Sequence, residues 1–120
     1  MKIAVTAKGG TAESQVDPRF GRAAKFVLVD TETREVSSVN NDQGVNASQG
    51  AGVQAADTVS RMGAELVITG HCGPKAFRAL EAAGIKVVVG AAGTVTEAID
   101  RYTAGELQPA NAADTEGHWA

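Results

Sequence analysis

Apolar positions along this chain come in short clusters separated by polar, glycine-containing stretches. Lys2–Ala7 (KIAVTA) is an apolar, partly β-branched run ended by Gly9-Gly10, the pattern of a buried strand. Lys25–Thr31 (KFVLVDT) is a second strand, followed by the turn TETR and a weaker, edge-type strand at Glu35–Asn40 (EVSSVN). Asn41–Gly50 (NDQGVNASQG) is rich in Asn, Gly and Ser and reads as a mobile loop. From there the period changes. Gly52–Met62 predicts a helix with Val53, Ala56 and Val59 on one side. Glu65–Thr69 (ELVIT) predicts a strand, and Pro74–Ala83 a helix with Phe77 and Leu80 facing inward. Ile85–Val89 (IKVVV) is the last strand, and Val95–Ala104 the last helix. Thr94 and Glu97 match a capping box, in which each side chain satisfies a backbone N–H of the first turn. Gly63, Gly84 and Gly105 each follow a helix, where a left-handed residue ends the last turn.

The expected order is β-β-β-α-β-α-β-α. A helical crossover between the last two strands makes them parallel, and their unbroken apolar runs imply cover on both faces. The second and third strands form an antiparallel hairpin, and the first is expected beside the fourth. The fold class is therefore α/β: three layers, with a mixed five-stranded sheet flanked by helices, compatible with a ribonuclease-H-like arrangement. Residues 1–107 form the expected domain. From Glu106 to Ala120 (ELQPANAADTEGHWA) periodicity fades, so residues 108–120 read as a flexible tail, and His118-Trp119 as a frayed end.

Composition narrows the function classes. At 120 residues the chain suits one domain with one core. Net charge is −3, which argues against a general nucleic-acid surface. One cysteine forms no internal disulfide, which fits a reducing compartment. No apolar run approaches the roughly 20 residues of a membrane span, and the N-terminus lacks a secretory signal pattern. The expectation is a cytoplasmic protein.

That cysteine stands in ITGHCGPKAF, at the corner after the fourth strand, with His71 beside it. Ligands of open α/β sheets bind outside the carboxyl ends of strands. Pro74 suits the first helical position and makes Gly73 the N-cap, so the following helix aims free N–H groups at the corner. Lys75 puts a cation in that first turn, where helix-dipole logic prefers an anion. Three readings stay open for Cys72. It can be a small buried hydrophobe. It can be a nucleophile, since Cys72 and Arg78 fit the letters H-C-x5-R of cysteine phosphatases. Against that, Pro74 starts the helix early, and Ala79 replaces the hydroxyl residue expected after the arginine. Or Cys72 and His71 can be donors to metal. They do not complete a four-ligand shell, so a metal here would arrive as a preassembled anionic unit. A regulatory or scaffold domain docking through the Asn41–Gly50 loop is the non-metal alternative.

A second constellation, DPRFGRA, sets Arg19 and Arg22 around Gly21, a good anion clamp. The plainer reading is a turn in which Asp17 pairs with an arginine. If the first and fourth strands are parallel neighbours, this loop and the His71-Cys72 corner face one pocket.

VDPRFGRAAKFVLVD, GAGVQAADTVSRMGAELVITGHCGPKAFRALEAAGIKVVVG and GTVTEAIDRYTAGEL occur in this order. Together they resemble the dinitrogenase iron–molybdenum cofactor biosynthesis family, over Met1–Leu107. The resemblance implies a ribonuclease-H-like fold without hydrolytic activity. It implies a non-enzymatic carrier of a molybdenum–copper sulfide cluster, or of a related molybdenum–iron–sulfur precursor, with cluster-assembly or regulatory proteins as partners. The implied binding surface is Arg19, Gly21, Arg22, Gly50, Gly52, His71, Cys72, Gly73 and Lys75, with Cys72 and His71 as candidate metal ligands. The family's common His-rich linker is absent here, apart from His118.

Overall fold

In a computed structural model, residues 1–41 and 50–110 are described. The order is β1 (Lys2–Ala7), β2 (Lys25–Asp30), β3 (Val36–Asn40), α1 (Ala51–Arg61), β4 (Leu66–Ile68), α2 (Pro74–Ala82), β5 (Lys86–Val88) and α3 (Val95–Thr103). Every expected element is present, with ends shifted by a residue or so. The sheet order is β3-β2-β1-β4-β5. β1 pairs antiparallel with β2 and parallel with β4; β2–β3 is antiparallel and β4–β5 parallel. The sheet is therefore mixed, with β1 at its centre.

Strand alternation divides the core between two faces. Ala4, Phe26, Val67 and Val87 pack with Ala55, Ala56 and Val59 of α1 and with Ala76, Phe77 and Leu80 of α2. Ile3, Val5, Val27, Leu66, Ile68 and Val88 pack with Val95 and Ala98 of α3. Burying a side chain such as Leu80 contributes about 1.5–3 kcal/mol. One inward position differs from expectation. Val53 is 46% exposed, and α1 instead buries Ala51, Gly52, Ala55, Ala56 and Val59. Its small inner residues let it lie close on α2: a Cβ at Gly52 would stand 2.8 Å from Ala76 Cβ.

The helix ends follow the sequence signals. Gly63, Gly84 and Gly105 have φ of 84°, 76° and 82°, the left-handed stop expected of them. The Thr94–Glu97 capping box is present in both directions at α3. The chain after α3 is a correction. Expected to be a tail from Glu106, it instead returns along the sheet: Leu107 packs on the α3 side, and the Ala110 N–H donates to Val87 O of β5 at 2.7 Å. Residues 111–120, with His118 and Trp119, lie outside the described residues, as does most of the Asn41–Gly50 loop.

Candidate anion-binding site

Parallel pairing of β1 and β4 sends the segments after both strands out of the same sheet edge. There they touch directly. Arg19 and His71 form a parallel bridge; the His71 N–H donates to Pro18 O at 2.7 Å, and the Phe20 N–H donates to His71 O at 3.2 Å. A Cβ on Gly70 would stand 2.7 Å from Pro18 Cα, so glycine alone permits this approach. The expectation that the arginine loop and the His71-Cys72 corner leave one edge together holds.

Phe20 anchors the loop. It is 1% exposed, and its ring lies 6.0 Å from that of Phe26 at a tilted angle. With Phe20 inward, Arg19 is exposed and Arg22 half-buried. Gly21 then lies on the first turn of α1: a Cβ there would meet Gly52 N at 2.8 Å and Gly52 Cα at 2.9 Å. The same Gly52 faces Ala76, next to Lys75 in the first turn of α2. The arginine loop, the 70–73 corner and the first turns of both helices thus form one continuous patch.

Both helices begin without a side-chain cap and without an acidic residue in the first turn. Their N-caps are Gly50 (φ 76°) and Gly73 (φ −72°), the latter followed by Pro74 as expected. α3 is the contrast, with its cap and Glu97. Orphan N–H groups carry partial positive charge and favour an anion. Among the described residues, no carboxylate lies within salt-bridge distance of Arg19 or Lys75. Asp17 is 6% exposed and does not serve as an ion-pair partner for Arg19. Its carboxylate instead accepts from the backbone N–H groups of Arg19 (3.1 Å) and Ala24 (3.3 Å).

Cys72 turns inward. Its side chain is fully buried in the cluster holding Phe20 and Phe77, with Sγ 3.8 Å from Gly73 O. His71 is half-buried beside it. Residues from Pro74 onward are helical and Arg78 is exposed on α2, so no loop runs between Cys72 and Arg78 to wrap a phosphate. Among the described residues, no three His, Cys, Asp or Glu side chains gather into a metal-holding group.

A sequence profile described as dinitrogenase iron-molybdenum cofactor matches residues 1–105. The chain belongs to the dinitrogenase iron-molybdenum cofactor family. Solved structures agree with this family assignment. The apo form of the orange protein from Desulfovibrio gigas is 44% identical, with a TM-score of 0.93 over 95% of this chain and 96% of that one. A NifB-like protein from Thermotoga is 34% identical, with a TM-score of 0.83 over 97% and 98% of the two chains. An uncharacterised protein from Methanocaldococcus jannaschii is 28% identical over 97 residues, which is 79% of this chain and 82% of that protein. Among the described residues, no helix is long and apolar enough to cross a membrane.

Sequence reasoning missed the polar residues that hold this family member's site together. Thr6 and Thr69, at the ends of β1 and β4, are fully buried. Thr6 Oγ1 is hydrogen-bonded to Asp17 O at 2.7 Å and to Thr69 Oγ1 at 2.8 Å. Asn41, 3% exposed, donates from Nδ2 to Gly21 O (3.1 Å) and Ala23 O (2.9 Å). Asp17 carried a local signal, since an Asp before Pro in a turn commonly bonds the backbone two residues on. Thr6, Thr69 and Asn41 carried none, because their partners are distant in sequence.

Proposed function

We propose that this chain is a non-enzymatic binding and carrier protein for an anionic molybdenum-containing metal–sulfide cluster, of molybdenum–copper type. The observation that carries the reading is the meeting of two uncapped, acid-free helix N-termini with Arg19, Arg22 and Lys75 at one sheet edge. Sulfides complete the coordination of the metals within such a cluster, so the protein supplies charge and hydrogen bonds rather than a full ligand set. The first-turn N–H groups donate to sulfur and the cations offset the negative charge. Cys72 is fully buried in the core behind this corner, while half-buried His71 stands beside Arg19. The family and the likeness to the orange protein support the same theme. On this reading the domain is a ribonuclease-H-like scaffold used for binding in a reducing cytoplasm, and cluster-assembly or regulatory proteins receive the cargo.

The test is reconstitution. Reduced protein is incubated with tetrathiomolybdate and copper and desalted; its visible spectrum and Mo, Cu and Fe content are then measured. Retained, stoichiometric, coloured metal is expected. Charge-assisted hydrogen bonds are worth about 1.5–3 kcal/mol each. The double variant Arg19→Gln/Arg22→Gln should therefore weaken retention by roughly 100-fold or more. A colourless, metal-free wild type refutes the reading.

A further inference from the structure

Among the described residues, a single side chain, that of Asn41, grips the backbone on both sides of Arg22. The Asn41 carboxamide has two N–H bonds to give. It gives them to Gly21 O, the residue before Arg22, and to Ala23 O, the residue after it, at 3.1 and 2.9 Å. The Asn41 backbone N–H adds a third bond, to Ala24 O at 3.0 Å. Asn41 is 3% exposed, so these bonds replace no contact with water, and losing the donors would leave buried carbonyls unpaired. Opposite this grip, Gly21 lies against the first turn of α1 with no space for a side chain: a Cβ there would stand 2.8 Å from Gly52 N and 2.9 Å from Gly52 Cα. The Asp17 carboxylate fixes the flanks of the loop through Arg19 N–H and Ala24 N–H.

We infer that Asn41 is a positioning residue. It fixes the backbone on both sides of Arg22, next to the contact of Gly21 with the first turn of α1, so that Arg22 and the helix N–H groups serve one anion. The inference takes its ligand from the cluster-binding reading above; its geometry does not depend on that reading. It explains why a buried polar side chain ends an otherwise exposed edge strand. A side chain in direct contact with a ligand's own partners typically changes affinity by about 10-fold or more on removal.

The experiment compares wild type, Arg22→Gln, Asn41→Ala and the double variant, each reconstituted with tetrathiomolybdate and copper across a salt series. Asn41→Ala should lower affinity by about 10-fold, and flatten the salt dependence as Arg22→Gln does. The double variant should lose no more than Arg22→Gln alone, since both changes disable the same interaction. Independent, additive losses, or wild-type retention in Asn41→Ala, overturn the inference. Ile99→Val, on the far face, controls for lowered stability and should retain metal normally. If Asn41→Ala does not fold, Asn41→Ser, which keeps one donor, carries the same comparison. The grip is also read without ligand, from the ¹⁵N relaxation and amide exchange of residues 19–24. An Arg22 amide as rigid in the variant as in wild type overturns the inference even where wild type retains no metal, an outcome that would separately end the cluster reading.

Discussion

Replacing Gly21 with alanine tests whether the arginine loop is seated rigidly on α1. The new methyl would stand 2.8 Å from Gly52 N, 2.9 Å from Gly52 Cα and 3.1 Å from Ala51 C, where ordinary contact begins near 3.4 Å. Every one of those atoms is backbone, so relief requires the loop or the helix to move. Overpacking of this kind costs about 1–3 kcal/mol. Alanine also restricts the unfolded chain, which returns about 0.4–1 kcal/mol. The net loss is about 0–2.6 kcal/mol, or up to roughly 10 °C in Tm for a domain of this size. Gly10→Ala is the matched control. Its methyl would stand 2.9 Å from Ser38 Oγ, a similar distance, but that atom ends an exposed side chain that can rotate away. Neither glycine has positive φ, so backbone strain enters neither comparison. Gly10→Ala should therefore be neutral or slightly stabilising. Thermal and urea denaturation, with unchanged m-values, would separate the two. Coincident midpoints for both variants would refute the rigid seating of the loop on α1.

Thr6→Val keeps shape but removes the hydroxyl shared by Asp17 O and Thr69 Oγ1; it should cost about 1–3 kcal/mol in urea unfolding, and a neutral result would mean that water or another group serves those atoms. Backbone N–H groups of Glu32 and Thr33 hold the Asp30 carboxyl below its ordinary range, and those of Thr94, with its hydroxyl, do the same for Glu97. Both groups therefore contribute stability above the ordinary carboxylate range, and lose it as pH falls through their lowered folded-state values. The Asp30→Asn/Glu97→Gln variant should show a shallower loss of stability below about pH 4.5, measured by urea midpoint against pH. Cys72 should resist an aromatic disulfide reagent in the native state and react fully only on unfolding; rapid stoichiometric labelling would contradict its burial.

The elements and three of the strand pairings (β2–β3, β4–β5 and β1–β4) were legible, largely from local signals, whereas the antiparallel β1–β2 pairing was not. The apolar runs, the glycine after each helix, Pro74 and the Thr94–Glu97 box each act within a few residues. The candidate cations were visible for the same reason: Arg19 and Arg22 share one turn, and Lys75 follows Pro74. What stayed hidden is non-local. Val53 looked inward on spacing alone, yet the inner face of α1 is set by how closely α2 approaches at Gly52. Asn41 looked like loop composition, yet its amide is committed to carbonyls about twenty residues earlier in the chain. Residues 106–110 lacked periodicity because they form no helix or strand; Leu107 packs on the α3-side core and a single backbone bond ties Ala110 to Val87.

The parallel pairing of β1 with β4 has a consequence for synthesis. Thr6 and Thr69, neighbours in the finished sheet, are 63 positions apart in the chain. At about 5–20 residues per second, a ribosome needs roughly 3–12 s to make that interval. The β1–β2–β3 meander can pair as soon as it emerges, leaving one side of β1 open for that time. Arg19 therefore waits on the ribosome for His71, and the bridge between them forms only after more than half of the chain has been made. During those seconds the bare side of β1 is where a chaperone, or a wrong strand, would bind.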